Sequence, residues 1–257
     1  MSIPLSLNGK VALISGGSRG IGAAAVRMFA QAGAKVAFNY RSAQSEAEKL
    51  AKECGAHSIA CDLIHAEAAL SLVTETVKHF GRLDILVANH GVWPAEDVPI
   101  ENMTVEQWRN TLSINLDGVF GLVKYSVAQM KSQPRTKAPA GHIVLISSTS
   151  GQRGEAFHAD YSASKGALIS MTKTLGSELA PAGIYVNCVA PGWVNTDMSA
   201  ATLADPKTGE IIRRTIPLGR AATPEEIAAP ILFLCTEYAG FITGEIFNVN
   251  GGAVLVG

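Results

Sequence analysis

The sequence predicts an α/β fold, a doubly wound sandwich with a parallel seven-stranded sheet and helices on both faces. Three observations carry this expectation. Short, β-rich apolar runs alternate with longer helical patterns along the whole chain, and a glycine cluster directly follows the first run. The runs are apolar throughout rather than alternating, as strands buried on both faces must be. Right-handed crossovers between parallel strands then put helices on both sides.

The elements follow in order. Residues 10–15 (Lys-Val-Ala-Leu-Ile-Ser) form the first strand. From Ile21, apolar positions at Ala25, Met28, Phe29 and Ala32 keep a helical period, and Gly33 stops it. The second strand is 36–38, and a helix over about 44–53 leads to the third, 58–61. Leu70, Val73, Val77 and Phe80 mark an amphipathic helix closed by Gly81, before a buried strand at 84–88. A long helix over about 105–130 precedes the strand 142–146. Leu168, Met171, Leu175 and Leu179 share a helix that ends near Pro181 and Gly183, and 185–189 is the next strand. A last helix (224–235) precedes the terminal strand 245–249. Two segments break the rhythm. Residues 131–140 read as a solvated loop, and 193–215, polar and weakly periodic, suits a mobile substrate lid. Neither reads as a linker, so 1–257 is expected to be one dinucleotide-binding and catalytic domain.

Composition narrows the functional classes. A formal net charge of −1, with 17% charged and 47% hydrophobic residues, gives no footprint for nucleic acid or an anionic membrane. No apolar run is long enough to span a bilayer, and the first residues show no basic segment followed by a cleavable apolar one. A cytoplasmic protein is expected. Cys54, Cys61, Cys188 and Cys235 are scattered without ligand spacing, so they read as reduced thiols, and no metal site is expected.

The glycine cluster is Ser15-Gly16-Gly17-Ser18-Arg19-Gly20-Ile21-Gly22. Between a strand and a helix, such glycines permit a tight turn and close approach of a pyrophosphate to the helix N-terminus. The spacing is G-x-x-x-G-x-G rather than G-x-G-x-x-G, and no Gly-Lys-Ser/Thr follows, which sets the P-loop aside. Cofactor choice falls at the end of the second strand. There the chain reads Asn39-Tyr40-Arg41-Ser42, with no acid before Glu46. Arg41 and Arg19 suit a 2′-phosphate, which favours NADP(H) over NAD(H).

After the strand 142–146 comes Ser147-Ser148-Thr149-Ser150-Gly151, and Tyr161-Ser162-Ala163-Ser164-Lys165 opens the next helix. Residues four apart share a helix face, so Tyr161 and Lys165 point at one spot. A cation beside a phenol lowers its pKa, which makes Tyr161 a general acid in reduction and a base in oxidation. Ser148 would hydrogen-bond the substrate oxygen as charge develops on it.

Taken together, these stretches resemble the short-chain dehydrogenase/reductase family, closest in pattern to its β-ketoacyl-acyl-carrier-protein reductases. The resemblance spans nearly the whole chain. It runs through Gly16 to Gly22, Asp62-Leu63, Asn89-His90-Gly91, Asn115, Ser148 thirteen positions before Tyr161, Lys165, Pro191-Gly192-Trp193-Val194-Asn195-Thr196, and Thr243-Gly244 to Gly251-Gly252. It implies a Rossmann-type sheet and a catalytic set of Asn115, Ser148, Tyr161 and Lys165. Asp62 would receive the adenine, Asn89 and Gly91 would support the sheet beside the cofactor, and Asn115 would hold a water in a proton relay to Lys165. Lys165 would also bind the nicotinamide ribose. Pro191, Gly192, Val194 and Thr196 would fix the carboxamide. One departure is His90, where the family usually has alanine.

The resemblance points to reduction of a ketone, a β-ketoacyl thioester or similar carbonyl, to a secondary alcohol. Dehydrogenation of a sugar, polyol or other secondary alcohol is the alternative. A cofactor sensor without turnover is disfavoured because it needs no proton relay. Trp93, Phe157, Trp193 and Met198 fall in segments bordering the crevice and are substrate-pocket candidates. Lys131, Arg135 and Lys137 are candidates for docking an acidic carrier protein. The family implies a homotetramer, and the apolar tail 253–257 suits burial against another subunit.

Overall fold

The sheet stands on strands that have apolar side chains on both faces, and their alternation sorts the core into two layers. The computed structural model describes residues 5–134 and 139–256. Its strands are β1 (Val11–Ile14), β2 (Lys35–Tyr40), β3 (His57–Ala60), β4 (Ile85–Ala88), β5 (Gly141–Ile146), β6 (Ile184–Pro191) and β7 (Ile246–Val249). Every pairing is parallel, in the Rossmann-type order β3-β2-β1-β4-β5-β6-β7. The direction of winding reverses between β1 and β4, where Ala12 pairs with Ile85. At such a switch point a crevice opens beyond the carboxyl ends of the strands.

Ten α-helices are described: α1 (Gly20–Gln31), α2 (Gln44–Cys54), α3 (Ala68–Phe80), α4 (Val105–Leu112), α5 (Gly118–Ser132), α6 (Thr149–Arg153), α7 (Ala159–Leu179), α8 (Ala200–Ala204), α9 (Pro206–Thr215) and α10 (Pro224–Leu234). Ile14, Val87 and Val144 face one layer with Phe29 of α1 and Ile231 of α10. Leu13, Leu86 and Ile143 face the other with Leu72 of α3, Leu122 of α5 and Leu168 of α7. At the amino edge, Asp84 ties two strands together. Its carboxylate accepts from the Val11 amide (2.9 Å) and from Arg82 Nε (2.9 Å) and Nη2 (2.6 Å).

The structure departs from the sequence expectation in three places. The helix expected over 105–130 is divided by a π-helical turn, Ser113–Asp117. Glycines there let α5 press on backbone: a Cβ on Gly118 would collide with the Leu63 carbonyl, and one on Gly121 with the Ala66 carbonyl. The segment 193–215 is largely helical, in α8 and α9. Pro206 opens α9, and the Asp205 side chain accepts from the Thr208 amide at 2.7 Å, an Asp-Pro start signal masked by weak apolar periodicity. The loop expected from 131 begins later, because α5 runs to Ser132. Residues 135–138 of that loop, and with them the docking candidates Arg135 and Lys137, lie outside the described residues. Lys131 is not beside the crevice. The end of α5 sits at the amino edge, where Gln133 pairs with the Leu83 backbone and Met130 lies against Gly141.

Asp84→Ala leaves the Val11 amide and the Arg82 guanidinium without their shared acceptor. Urea unfolding should show a loss of about 2–4 kcal/mol, and a smaller loss for Arg82→Ala because its side chain is partly solvated.

Candidate active site

The carboxyl ends of β1 to β6 surround a cavity of about 540 Å³. Strand order distributes its walls. Arg41, Ser42, Asp62 and Leu63 stand beyond β2 and β3, and Gly16, Ser18, Arg19, Gly20 and Ile21 beyond β1. Asn89 and Gly91 follow β4, Ser148 follows β5, and Pro191, Gly192, Val194 and Thr196 belong to the end of β6 and beyond. Tyr161 and Lys165 of α7 close the end nearest β5 and β6.

The glycine loop is built for close approach. Gly16 and Gly20 have φ of +63° and +54°, a region unfavourable to other residues. Gly22 is set behind the wall rather than in it, where a Cβ would collide with the Gly16 carbonyl oxygen. Arg19 occupies the N-cap of α1 in extended conformation with no side-chain cap, and the first turn holds no acid. The leading N–H groups of α1 are therefore left for an anion, which fits a dinucleotide pyrophosphate. Two residues the sequence reading left without a role hold the loop. Asn39 accepts from the Gly16 amide (3.0 Å) and donates to the Cys61 carbonyl (2.9 Å), joining the loop to β2 and to the end of β3. Ser15 Oγ accepts from the Asn89 amide at 3.0 Å, and Asn89 Nδ2 returns a bond to the Ser15 carbonyl at 3.0 Å. An asparagine or serine at the end of a buried strand was the available signal. Arg19 also meets Asp197 at 3.7 Å, an exposed pair.

At the other end, Ser148 caps α6 by accepting from the Ser150 amide, and its hydrogen bond to Tyr161 pulls the phenol pKa down. Burial outweighs that bond, and the Glu155 charge adds to burial, so Tyr161 is pushed up to about 12. This corrects the expectation of a phenol acidified by Lys165. The lysine Nζ lies 5.8 Å from the ring centroid and donates to the Ile146 carbonyl at 2.9 Å. Burial lowers Lys165 itself to about 8. Asn115 lies behind the cavity wall in the π-turn. Its Oδ1 accepts from the Val92 amide (2.8 Å), and Nδ2 donates to the Val92 carbonyl (2.9 Å) and Ser164 Oγ (3.1 Å). A Cβ on Gly91 would lie 3.1 Å from Asn115 Oδ1 and 3.2 Å from Lys165 Nζ, so the glycine leaves a gap that both face.

The family profile named enoyl-(acyl carrier protein) reductase matches residues 16–254. A 3-oxoacyl-[acyl-carrier-protein] reductase of Aquifex aeolicus is 38% identical over 253 residues, 96% of this chain and 98% of the relative. The chain belongs to the short-chain dehydrogenase/reductase family. Among solved members of that family, a glucose/ribitol dehydrogenase from Brucella melitensis superposes with a TM-score of 0.89 at 32% identity, covering 99% of this chain and 100% of its own. A blue fluorescent protein from a metagenomic library, solved with NADPH, gives 0.88 at 32% identity, covering 97% and 100%.

Of the substrate-pocket candidates, Trp93, Trp193 and Met198 line the cavity, and the two indoles meet edge-to-face at 5.6 Å. Phe157 does not line it. It sits 52% exposed at φ +67°, its carbonyl engaged by the Val98 amide, and that backbone turns the ring outward. His158 is buried behind the wall, packing edge-on against Trp93 at 5.1 Å. Among the described residues no cluster of metal-ligating side chains occurs, all four cysteines are free, and no helix is long and apolar enough to cross a membrane.

Arg19→Ala or Arg41→Ala should weaken NADPH binding about ten- to a hundred-fold, the worth of one charged hydrogen bond to phosphate. NADH binding should change little. Fluorescence titration with both cofactors measures the difference.

Proposed function

We propose that this protein is an NADP(H)-dependent oxidoreductase that reduces a ketone, such as a β-ketoacyl thioester, to a secondary alcohol. The observation that carries the reading is the placing of the Tyr161 phenol, Ser148 and Lys165 together at the end of a cleft with a dinucleotide cradle. NADP(H), when bound, supplies or accepts the hydride. The chain does the rest. Ser148 and the Tyr161 hydroxyl converge on the substrate oxygen, and Tyr161 donates its proton as charge develops there. A phenol pushed up to about 12 holds that proton throughout the neutral range. Lys165 supplies positive charge beneath it, and Asn115 Oδ1 retains a second lone pair for a relay water in the gap beside Gly91.

The aromatic lining by Trp93 and Trp193 suits an apolar or ring-shaped substrate. A second reading, oxidation of a sugar or sugar acid, draws on Arg153, a cation of the cavity wall with no salt-bridge partner among the described residues, and on the glucose/ribitol dehydrogenase relative. Residues 193–215 act in this reading as the substrate lid of a single catalytic domain. Leu255 is 90% exposed and Phe120 on α5 is 49% exposed, which supports a homotetramer with apolar faces covered by sister subunits, to be checked by light scattering. Four free thiols fit a cytoplasmic enzyme.

Turnover on a panel of ketoacyl thioesters, enoyl thioesters and sugar acids tests the assignment. NADPH-dependent ketone reduction supports it, and reduction of the enoyl double bond alone overturns it. Tyr161→Phe should cost about 10²–10⁴ in kcat with cofactor binding nearly unchanged. Lys165 is a cation below about pH 8, so kcat/KM for ketone reduction should be highest below that pH and fall as pH rises through it. Alcohol oxidation, which needs the phenolate, should rise only at higher pH, toward the raised phenol value of about 12.

A further inference from the structure

His90 stands between Asn89 and Gly91 at the end of β4, and its hydrogen bonds settle which ring nitrogen has the proton. A serine hydroxyl has one proton to give and two lone pairs to accept with. Ser15 Oγ accepts from the Asn89 amide (3.0 Å) and the His90 amide (3.1 Å), which occupies both lone pairs. It also lies 2.8 Å from His90 Nδ1, while its other acceptor, the Val87 carbonyl, is 3.5 Å away. The Ser15 O–H therefore donates to Nδ1, and Nδ1 has no proton of its own.

The ring is neutral. Burial and the charge of Lys165 hold it down to about 4, against weaker support from the Ile114 carbonyl and Asp62. The Ser15 hydroxyl is the further polar group against it. Its single proton is then on Nε2, which is shut off from solvent and has no hydrogen-bond partner within normal geometry. That donor faces the π-turn. A Cβ on Gly118 would come within 2.9 Å of Nε2, and the Ile114 carbonyl is the backbone acceptor turned toward the ring. Ile114 and Asn115 are neighbours in that turn, whose i→i+5 bonding (the Gly118 amide to the Ser113 carbonyl) is rare and is kept where the surroundings favour it.

We propose that His90 is a positioning residue for proton transfer: fixed by Ser15 as the Nε2–H tautomer, it turns its remaining donor toward the π-turn backbone at Gly118 and Ile114 and so sets Asn115 against Lys165. The proposal rests on the reading of Tyr161 and Lys165 as the proton-transfer pair. It assigns a reason for a neutral imidazole here, since a cationic ring would face the ammonium of Lys165 across the same space.

The experiment is a long-range ¹H–¹⁵N correlation spectrum of the histidine-labelled full chain, with His90 identified by the signal lost in His90→Phe or His90→Gln. The expected result is a bare Nδ1 and a protonated Nε2, unchanged from about pH 5 to about pH 8, where an ordinary histidine titrates. A proton on Nδ1, or a cationic ring near neutral pH, overturns the proposal. In kinetics, His90→Phe keeps the ring volume but removes the donor. It should lower kcat about tenfold and move the high-pH limb of ketone reduction, as loss of geometry at a reacting group does. KM and NADPH binding should stay within about threefold. His90→Gln, which keeps an N–H at the ε position, should recover most of the loss. A folded His90→Phe with full kcat and an unmoved limb reduces His90 to a space filler and ends the proposal. If His90→Phe fails to fold, the tautomer in the native chain and the His90→Gln kinetics decide. Tyr161→Phe serves as the separate control: undiminished turnover there removes the functional reading while the His90 tautomer stands.

Discussion

A buried ammonium is expensive unless it finds an acceptor, and Lys165 finds the carbonyl of Ile146 at the last position of β5, 2.9 Å away. A second bond runs the other way: Ser147 Oγ donates to the Lys165 carbonyl at 2.8 Å. Together they pin one turn of α7 to the end of one strand. Gly151 completes the contact, because a Cβ there would press into the Lys165 and Gly166 backbone. Tyr161 is one helical turn earlier, so its position follows from that of the lysine. Ser148 belongs to the strand side of the same junction. The relation between the Tyr161 phenol and Ser148 is thus a consequence of where a helix is tied to a sheet.

The rest of the site is held by neutral polar groups that compensate irregular backbone. Loops at the end of a buried sheet leave amides and carbonyls that must be paired. Asn39, Ser15 and Asn89 pair them from one strand's end to another, and Asn115 does so from the π-turn to the segment after β4. Asp160, wholly buried, does the same between helices, accepting from Thr111 Oγ1 at 2.7 Å and from the Tyr161 amide at 2.8 Å. Such a network is stiff because leaving any member unpaired costs more than its bond is worth.

This explains which parts of the molecule could be read from sequence. The inner strands announce themselves because burial on both faces leaves its mark on nearly every residue, while the half-exposed edge strands β3 and β7 and the main helices show through their alternation, and the observed limits differ by only a residue or two. The glycine loop and the Tyr161–Lys165 pair were legible for the same reason, as each is local and rests on a fixed spacing. The π-turn was not, since its cause lies in contacts with Leu63 and Val92, distant in sequence. Asn39 and Ser15 gave no periodic signal, and Phe157 was misjudged because its direction depends on one positive φ. The phenol pKa was missed in sign: a neighbouring cation can be inferred from spacing, whereas desolvation requires the surrounding volume.

Charge is distributed unequally along the cleft, and the consequences differ. Arg19 is exposed and meets the likewise exposed Asp197 at 3.7 Å, so that interaction is screened and modest. Lys165 is enclosed, where the same unit of charge acts through a low effective dielectric on every group around it. In the proposed reading the exposed cations at the β1–β2 end select the dinucleotide, and the buried cation at the β5 end belongs to the proton-transfer site. Strand order keeps the two ends apart. A change of cofactor preference can therefore arise at Arg19 or Arg41 without disturbing the acid–base pair, and the neutrality of His90 beside Lys165 belongs wholly to the second end.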